Sequence, residues 1–208
     1  MNLRNVFYGI AMTGLLLFPV EQSFAQEKSK GDEKASAMSQ EMVKKWTEAA
    51  TPGEPHKLLD QFVGKWEVSM RMWMEGPGRP PAEAKATVEG KWILDGRFVQ
   101  EDSTSQIMGM PHRSIGITGY DNIKKKYVIS YIENMATAIC TAEGTLDESG
   151  KVMTLFGKLD EPMTGERDKV IKFVTRLIGP DKRIFEIYDL VGTPDEFKSI
   201  EMTYARKR

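Results

Sequence analysis

The chain has 208 residues, with 29 Lys and Arg against 30 Asp and Glu and a formal net charge of −1. That balance argues against a nucleic-acid binder, which shows a strong basic excess. A single cysteine, Cys140, excludes an internal disulfide, so stability must come from a hydrophobic core and a hydrogen-bonded sheet.

The chain opens with "MNLRN", in which Arg4 supplies positive charge, then the apolar run "VFYGIAMTGLLLFPV", then "EQSFAQ" with Ser23 and Ala25 at a small-residue cleavage site. This is the layout of a secretory signal peptide over residues 1–25, and the apolar run is short for a membrane span. No cysteine follows the run to carry a lipid. The expectation is export to the periplasm or beyond, a mature chain starting near Gln26, and no stable membrane anchor after cleavage. Removing Arg4 and Glu21 together leaves the net charge unchanged.

Residues 26–36, "QEKSKGDEKAS", are charged and small and read as a disordered leader. Residues 37–63 read as short helical segments. Met38, Met42 and Trp46 stand four apart, along one helical face. "TPGEP" ends that helix, and "PHKLLDQF" offers Leu58, Leu59 and Phe62 for docking on the next elements of the chain.

From Gly64 to the end, the pattern is strands and turns. Strands are predicted near 65–74, 84–94, 97–106, 113–120, 125–133, 137–146, 151–158, 168–178, 183–191 and 196–206. "DNIKK", "DESGK" and "GPDKR" supply turns between β-branched and aromatic runs. The fold class is therefore all-β. About ten strands in one sequential antiparallel meander favour a closed barrel, since closure removes exposed edges. "IMGMPHRS" reads as a mobile loop at one end of it.

Alternation places Trp66, Val68, Met70, Met72 and Met74 on one face of the first strand. Ala84, Ala86, Val88, Gly90 and Trp92 share a face of the second, and Ile200, Met202, Tyr204 and Arg206 a face of the last. The segment "KYVISYIE" is apolar on both parities and cannot be oriented by periodicity.

In order along the chain, "HKLLDQFVGKWEV", "WILDGRFVQED", "GMPHRSIGITGYDNIKKKYV", "AEGTLDESGKVMTL", "DEPMTGE", "FEIYD" and "EFKSIEMTYARK" resemble an uncharacterised bacterial family, the domain of unknown function 1579 family. The resemblance spans roughly 56–208. It implies a lipocalin-like (calycin-type) antiparallel barrel, and the family's name carries no biochemical activity. Such barrels resemble one another in a Gly-x-Trp on the first strand and an Arg of the last strand packed over that Trp. Gly64-Lys65-Trp66 matches the first element, and Arg206 has the parity for the second. A guanidinium on an indole contributes about 0.5–2 kcal/mol.

Candidate chemistry is sparse. Met70, Met72 and Met74 suggest a soft thioether site, together with Met108, Met110 and His112 of "MGMPH". Same-face strand positions lie about 6.6–7 Å apart, however, and methionine is also an ordinary filler of apolar space. With two histidines and one cysteine no zinc set is expected, and the metal assignment is none. Neither His56 nor His112 falls on an inward strand position, so no haem or other cofactor is assigned. Glu101, Asp102, Glu133, Glu143 and Glu186 are strand carboxylates, one or two of which could face inward, but no nucleophile elbow or phosphate loop accompanies them. No catalytic residue is assigned. Cys140 reads as a small buried thiol, with dimerisation through it the minor alternative.

The barrel interior is the remaining candidate. Met70, Met72, Met74, Trp92, Met202 and Tyr204 would form an adaptable, mostly apolar lining, and Gly90, Ala84 and Ala86 leave room beside it. The function expected is binding of a small apolar or amphipathic molecule, with no nucleic-acid partner. The alternatives are an enzyme using an inward carboxylate such as Glu143, or a structural or protein-binding barrel with a filled core.

Overall fold

The computed structural model describes residues 30–162 and 164–208, with side chains from residue 38 onward. The signal peptide expected over 1–25 lies outside the described residues. Two units are distinguished, Met1–Met42 and Val43–Arg208. The described part of the first is helical. It belongs to α1, Lys30–Ala50, which begins inside the segment read as a disordered leader. Lys, Glu and Ala are all good helix formers, and their propensity extends the helix backward.

In the second unit the last turn of α1 contains no basic side chain of its own. Its terminal carbonyls are met from the barrel instead. Asn122 Nδ2 donates to Ala49 O (3.1 Å) and Thr51 O (2.8 Å), and Arg97 Nε to Ala50 O (3.1 Å). These contacts satisfy acceptors that a helix end leaves open. A single turn α2 (Glu54–Lys57) follows, then a 3-10 helix, Leu58–Phe62.

Ten antiparallel strands then run in sequence. They are β1 (Gly64–Met72), β2 (Ala82–Ile93), β3 (Phe98–Ile107), β4 (Met110–Asp121), β5 (Lys126–Glu133), β6 (Cys140–Leu146), β7 (Val152–Leu159), β8 (Lys169–Gly179), β9 (Lys182–Asp189) and β10 (Phe197–Arg206). Each pairs with its sequence neighbours, and β10 closes onto β1. The closing register runs from Trp66↔Arg206 to Met72↔Ile200. Burial alternates residue by residue along β1, as period-two patterning requires.

Two sequence expectations change here. Residues 107–113 do not form a long loop. Met108 and Gly109 (φ 52° and 78°) make a two-residue hairpin turn, with Ile107 opposite Met110. Two successive positive-φ residues match the twist of the flanking strands, and this pulls Met110 to Arg113 into β4. β1 ends at Met72, two residues early, so Met74 stands beyond the strand and is 67% exposed.

The 3-10 helix plugs the end of the barrel where β1 starts. Leu59 and Phe62 are buried there with Val99, Tyr127 and Leu177. The plug is pinned by hydrogen bonds from Trp66 Nε1 to Phe62 O (3.1 Å), Trp92 Nε1 to Asp60 Oδ1 (2.9 Å) and Tyr127 Oη to Pro55 O (3.0 Å).

At the seam between β1 and β10, the Arg206 guanidinium carbon lies 4.2 Å from the Trp66 ring centroid. Its Nη1 donates to Val63 O (2.6 Å) and its Nε to Pro180 O (3.0 Å). Gly64 is needed for this contact. Its φ is +109°, and an added Cβ would fall 2.5 Å from Arg206 Nη1. Gly90 is needed for another reason, since a Cβ there would meet the Phe62 carbonyl oxygen at 2.1 Å.

Gly64→Ala and Gly90→Ala should each lower the unfolding free energy by about 2 kcal/mol or more, through backbone strain and overpacking. Gly116→Ala, where an added Cβ meets nothing within 4 Å, should change it by less than about 1 kcal/mol. Urea denaturation of the three variants reads the difference.

Candidate functional site

Beyond the plugged end the interior is not filled. It leaves a cavity of about 280 Å³ with two unlike walls. One wall is apolar. Val68, Met70 and Met72 come from β1, Ala86 and Val88 from β2, and Ile200 and Met202 from β10, with Leu155, Phe173 and Phe185 beyond them. The other wall is polar and comes from β3, β4 and β5. It carries Glu101, Ser103 and Ser105, then His112, Ser114 and Thr118, then Tyr131 and Glu133.

The polar wall is hydrogen-bonded within itself. His112 is buried, its Nε2 lies 2.8 Å from Glu133 Oε2, and its Nδ1 lies 3.0 Å from Ser105 Oγ. With Nε2–H donating to the carboxylate, Nδ1 is left to accept from the Ser105 hydroxyl. Tyr131 Oη donates to the same Glu133 oxygen at 2.9 Å. Burial pushes the Tyr131 phenol above its ordinary range, and the neighbouring Glu133 charge adds to that, so it remains a donor at neutral pH. Cys140, at the start of β6, also lines the cavity, and burial raises its thiol pKa.

Where the cavity meets the packed end, Arg183 of β9 reaches across to Glu101 of β3. The pair is bidentate, Nη2 to Oε1 and Nη1 to Oε2. The two strands stand four places apart around the ring, so the ion pair is a strut through the interior. Arg183 is 3% exposed, and its guanidinium carbon lies 4.4, 5.0 and 4.0 Å from the ring centroids of Phe62, Trp66 and Tyr204. Its Nε has no hydrogen-bond partner among the described residues. Aromatic faces take the place of water around the cation. Burial pushes the Tyr204 phenol up to about 12, against the opposing effect of Arg183.

Of the six residues read from sequence as ligand-lining, Met70, Met72, Met202 and Tyr204 line the cavity. Met74 and Trp92 do not. Met74 lies past the strand end, in the solvent-exposed turn. Trp92 has inward parity but sits at the plugged end, bonded to Asp60 and packed against the core there. Trp66 and Arg206 are stacked at the seam as described.

Other positions also move. His112, read as a loop residue, is on β4 and faces the cavity, because the strand begins three residues before the predicted start. His56 is buried at the turn before the plug, where its Nδ1 accepts from Gly53 N–H at 3.0 Å. Glu143 does not face inward. It pairs outside the barrel with Lys124 (2.5 Å) and Lys126 (2.8 Å), whose hydrogen bonds hold its carboxyl down at about 2. Glu186 also points away from the cavity, toward Arg176 (2.9 Å) and Lys198 (3.0 Å). Among the described residues no group of three or more His, Cys, Asp or Glu side chains could hold a metal ion.

Sequence reasoning did not single out Arg183, Tyr131 or Ser105. One signal was available: Val99, Glu101, Ser103, Ser105 and Ile107 share a parity whose two ends are apolar, which places the polar residues between them inside.

These features define a closed, ten-stranded up-and-down antiparallel barrel with an amphipathic internal cavity. The chain belongs to the family described as protein of unknown function DUF1579, whose model matches residues 51–206. Among solved structures it is similar to Rv2717c from M. tuberculosis, with a TM-score of 0.53 and 16% identity over 76% of this chain and 100% of that one. At that identity the likeness is one of fold. A redesigned β-barrel, b11L5F_LGL, aligns with a TM-score of 0.37 and 12% identity over 74% of this chain and 95% of its own. No curated protein matches the sequence.

Arg183→Met should destabilise the barrel by about 3–5 kcal/mol, because it leaves the largely buried Glu101 carboxylate without its cation. Adding Glu101→Leu should recover at least half of that loss. Chemical denaturation of both single variants and the double variant gives the coupling directly.

Proposed function

We propose that this protein is an exported binding barrel that holds one small amphipathic molecule inside. The observation that carries this reading is the two-sided cavity of about 280 Å³, with Met70, Met72 and Met202 facing Tyr131, His112 and Glu133. That volume falls just below the usual range of ligand pockets, about 300 to 1,000 Å³, and so suits a small molecule. An apolar body buried against the thioethers gains about 25 cal/mol per Å² removed from water. The polar wall fixes its orientation. Methionine suits such a wall because its flexible, polarisable side chain adapts to irregular shapes. Export rests on the N-terminal residues: the positive start, the short apolar run, and the small residues before Gln26.

Native mass spectrometry of protein purified from its own host tests both parts. The expected spectrum shows a chain beginning near Gln26 and a stoichiometric organic mass that disappears on denaturation. A bare protein mass contradicts the binding reading, and a chain retaining residues 1–25 contradicts export. Gly116 lines the cavity with open space where its Cβ would stand, so Gly116→Leu should fill the site and abolish the extra mass while the barrel stays folded.

A further inference from the structure

Among the described residues, two carboxylates and one guanidinium line the cavity. They belong to Glu101, Glu133 and Arg183, with the imidazole of His112 beside them. Arg183 and Glu101 neutralise each other through the strut. Among the described residues Glu133 has no Lys or Arg against it; its partners are the imidazole of His112 and the phenol of Tyr131. Both donate to Oε2, and Oε1 has no hydrogen-bond partner among the described residues. The remaining groups beside this cluster are uncharged: the Ser105 hydroxyl on β3, the Ser114 hydroxyl on β4, and the Cys140 thiol on β6, whose pKa the Glu133 charge helps to raise.

A half-buried carboxylate is a good seat for a cation, with which it makes a charge-assisted hydrogen bond. Its side chain is 29% exposed, so one oxygen remains open to an incoming group. The wall across the cavity is thioether and aliphatic, which is chemistry for an uncharged body.

We infer that the cavity selects an amphipathic amine, seating a primary or secondary ammonium on Glu133 Oε1 and its apolar body along Met70, Met72 and Met202. This rests on the binding reading above and narrows it to one head-group class. The ammonium donates to Oε1 while Tyr131 and His112 hold Oε2, so the carboxylate is satisfied on both oxygens. A carboxylate ligand in the same place would face Glu133 as a like charge. A neutral alcohol could make the hydrogen bond but not the ion pair.

The test is calorimetric titration of the mature, ligand-stripped protein at neutral pH with three probes of equal chain length: hexylammonium, hexanol and hexanoate. Hexylammonium should bind at least about tenfold more tightly than hexanol, the scale of one charge-assisted hydrogen bond, and hexanoate should be weakest. Glu133→Gln should bring hexylammonium to within about twofold of hexanol, with the fold of the variant checked by its melting temperature. Hexanol binding without an ammonium preference overturns the inference and leaves the binding reading standing. Hexanoate binding as tightly as hexylammonium, or a preference that survives Glu133→Gln, also overturns it. If none of the three probes binds, both readings fail together.

Discussion

The interior of this barrel is organised by one ion pair. A buried guanidinium and carboxylate each cost several kcal/mol to desolvate, and they persist only where geometry and secondary contacts offset that cost. Arg183 and Glu101 meet the condition with a bidentate contact and three aromatic rings around the cation. Because the partners come from β9 and β3, the pair spans the barrel and ties its two halves together. On one side of it lie the plug and its close-packed cluster. On the other side the cavity begins.

Trp66 joins this strut to the closure of the sheet. Its indole N–H holds the plug, one guanidinium from the strut lies 5.0 Å from its ring, and a second, from Arg206 at the seam, lies 4.2 Å away. Gly64 is bare so that Arg206 can reach across, and Gly90 is bare so that the plug can press onto β2. Plug, seam and strut therefore share a small set of contacts at one end of the molecule. The rigidity concentrated there leaves the other end free to be hollow.

The ten strands were readable because β1, β2 and β10 alternate cleanly and the turns between strands carry Asp, Asn, Gly and Pro. The Gly-x-Trp element and the parity of Arg206 likewise pointed to the seam. The polar wall was not readable, and β4 shows why. Its apolar residue Ile115 has the parity opposite to its inward face, which carries Ser114, Gly116 and Thr118. Ile115 is 37% exposed. Periodicity assumes that the inside is the oily side, and a barrel with a polar inner wall inverts that rule on the strands that build it. Arg183 is hidden for a related reason: Arg183, Phe185 and Ile187 alternate with Ile184, Glu186 and Tyr188, so both faces of β9 mix charge with apolar bulk. Met74 and Trp92 show the opposite error. They have the right parity, but they lie at the strand end and at the plug, and parity carries no information about height along the barrel axis.

A barrel hollow on one side of a charged strut can be tested by looking at that space. A high-resolution crystal structure of the protein purified without denaturation is the most direct measurement. It should show an open cavity between Met70 and Tyr131, holding an ordered molecule or ordered water against Glu133, with Arg183 still across the interior on Glu101. Met70, Met202 and Phe185 collapsed onto Tyr131 with no gap between them would contradict it, as would an Arg183 side chain turned away from Glu101.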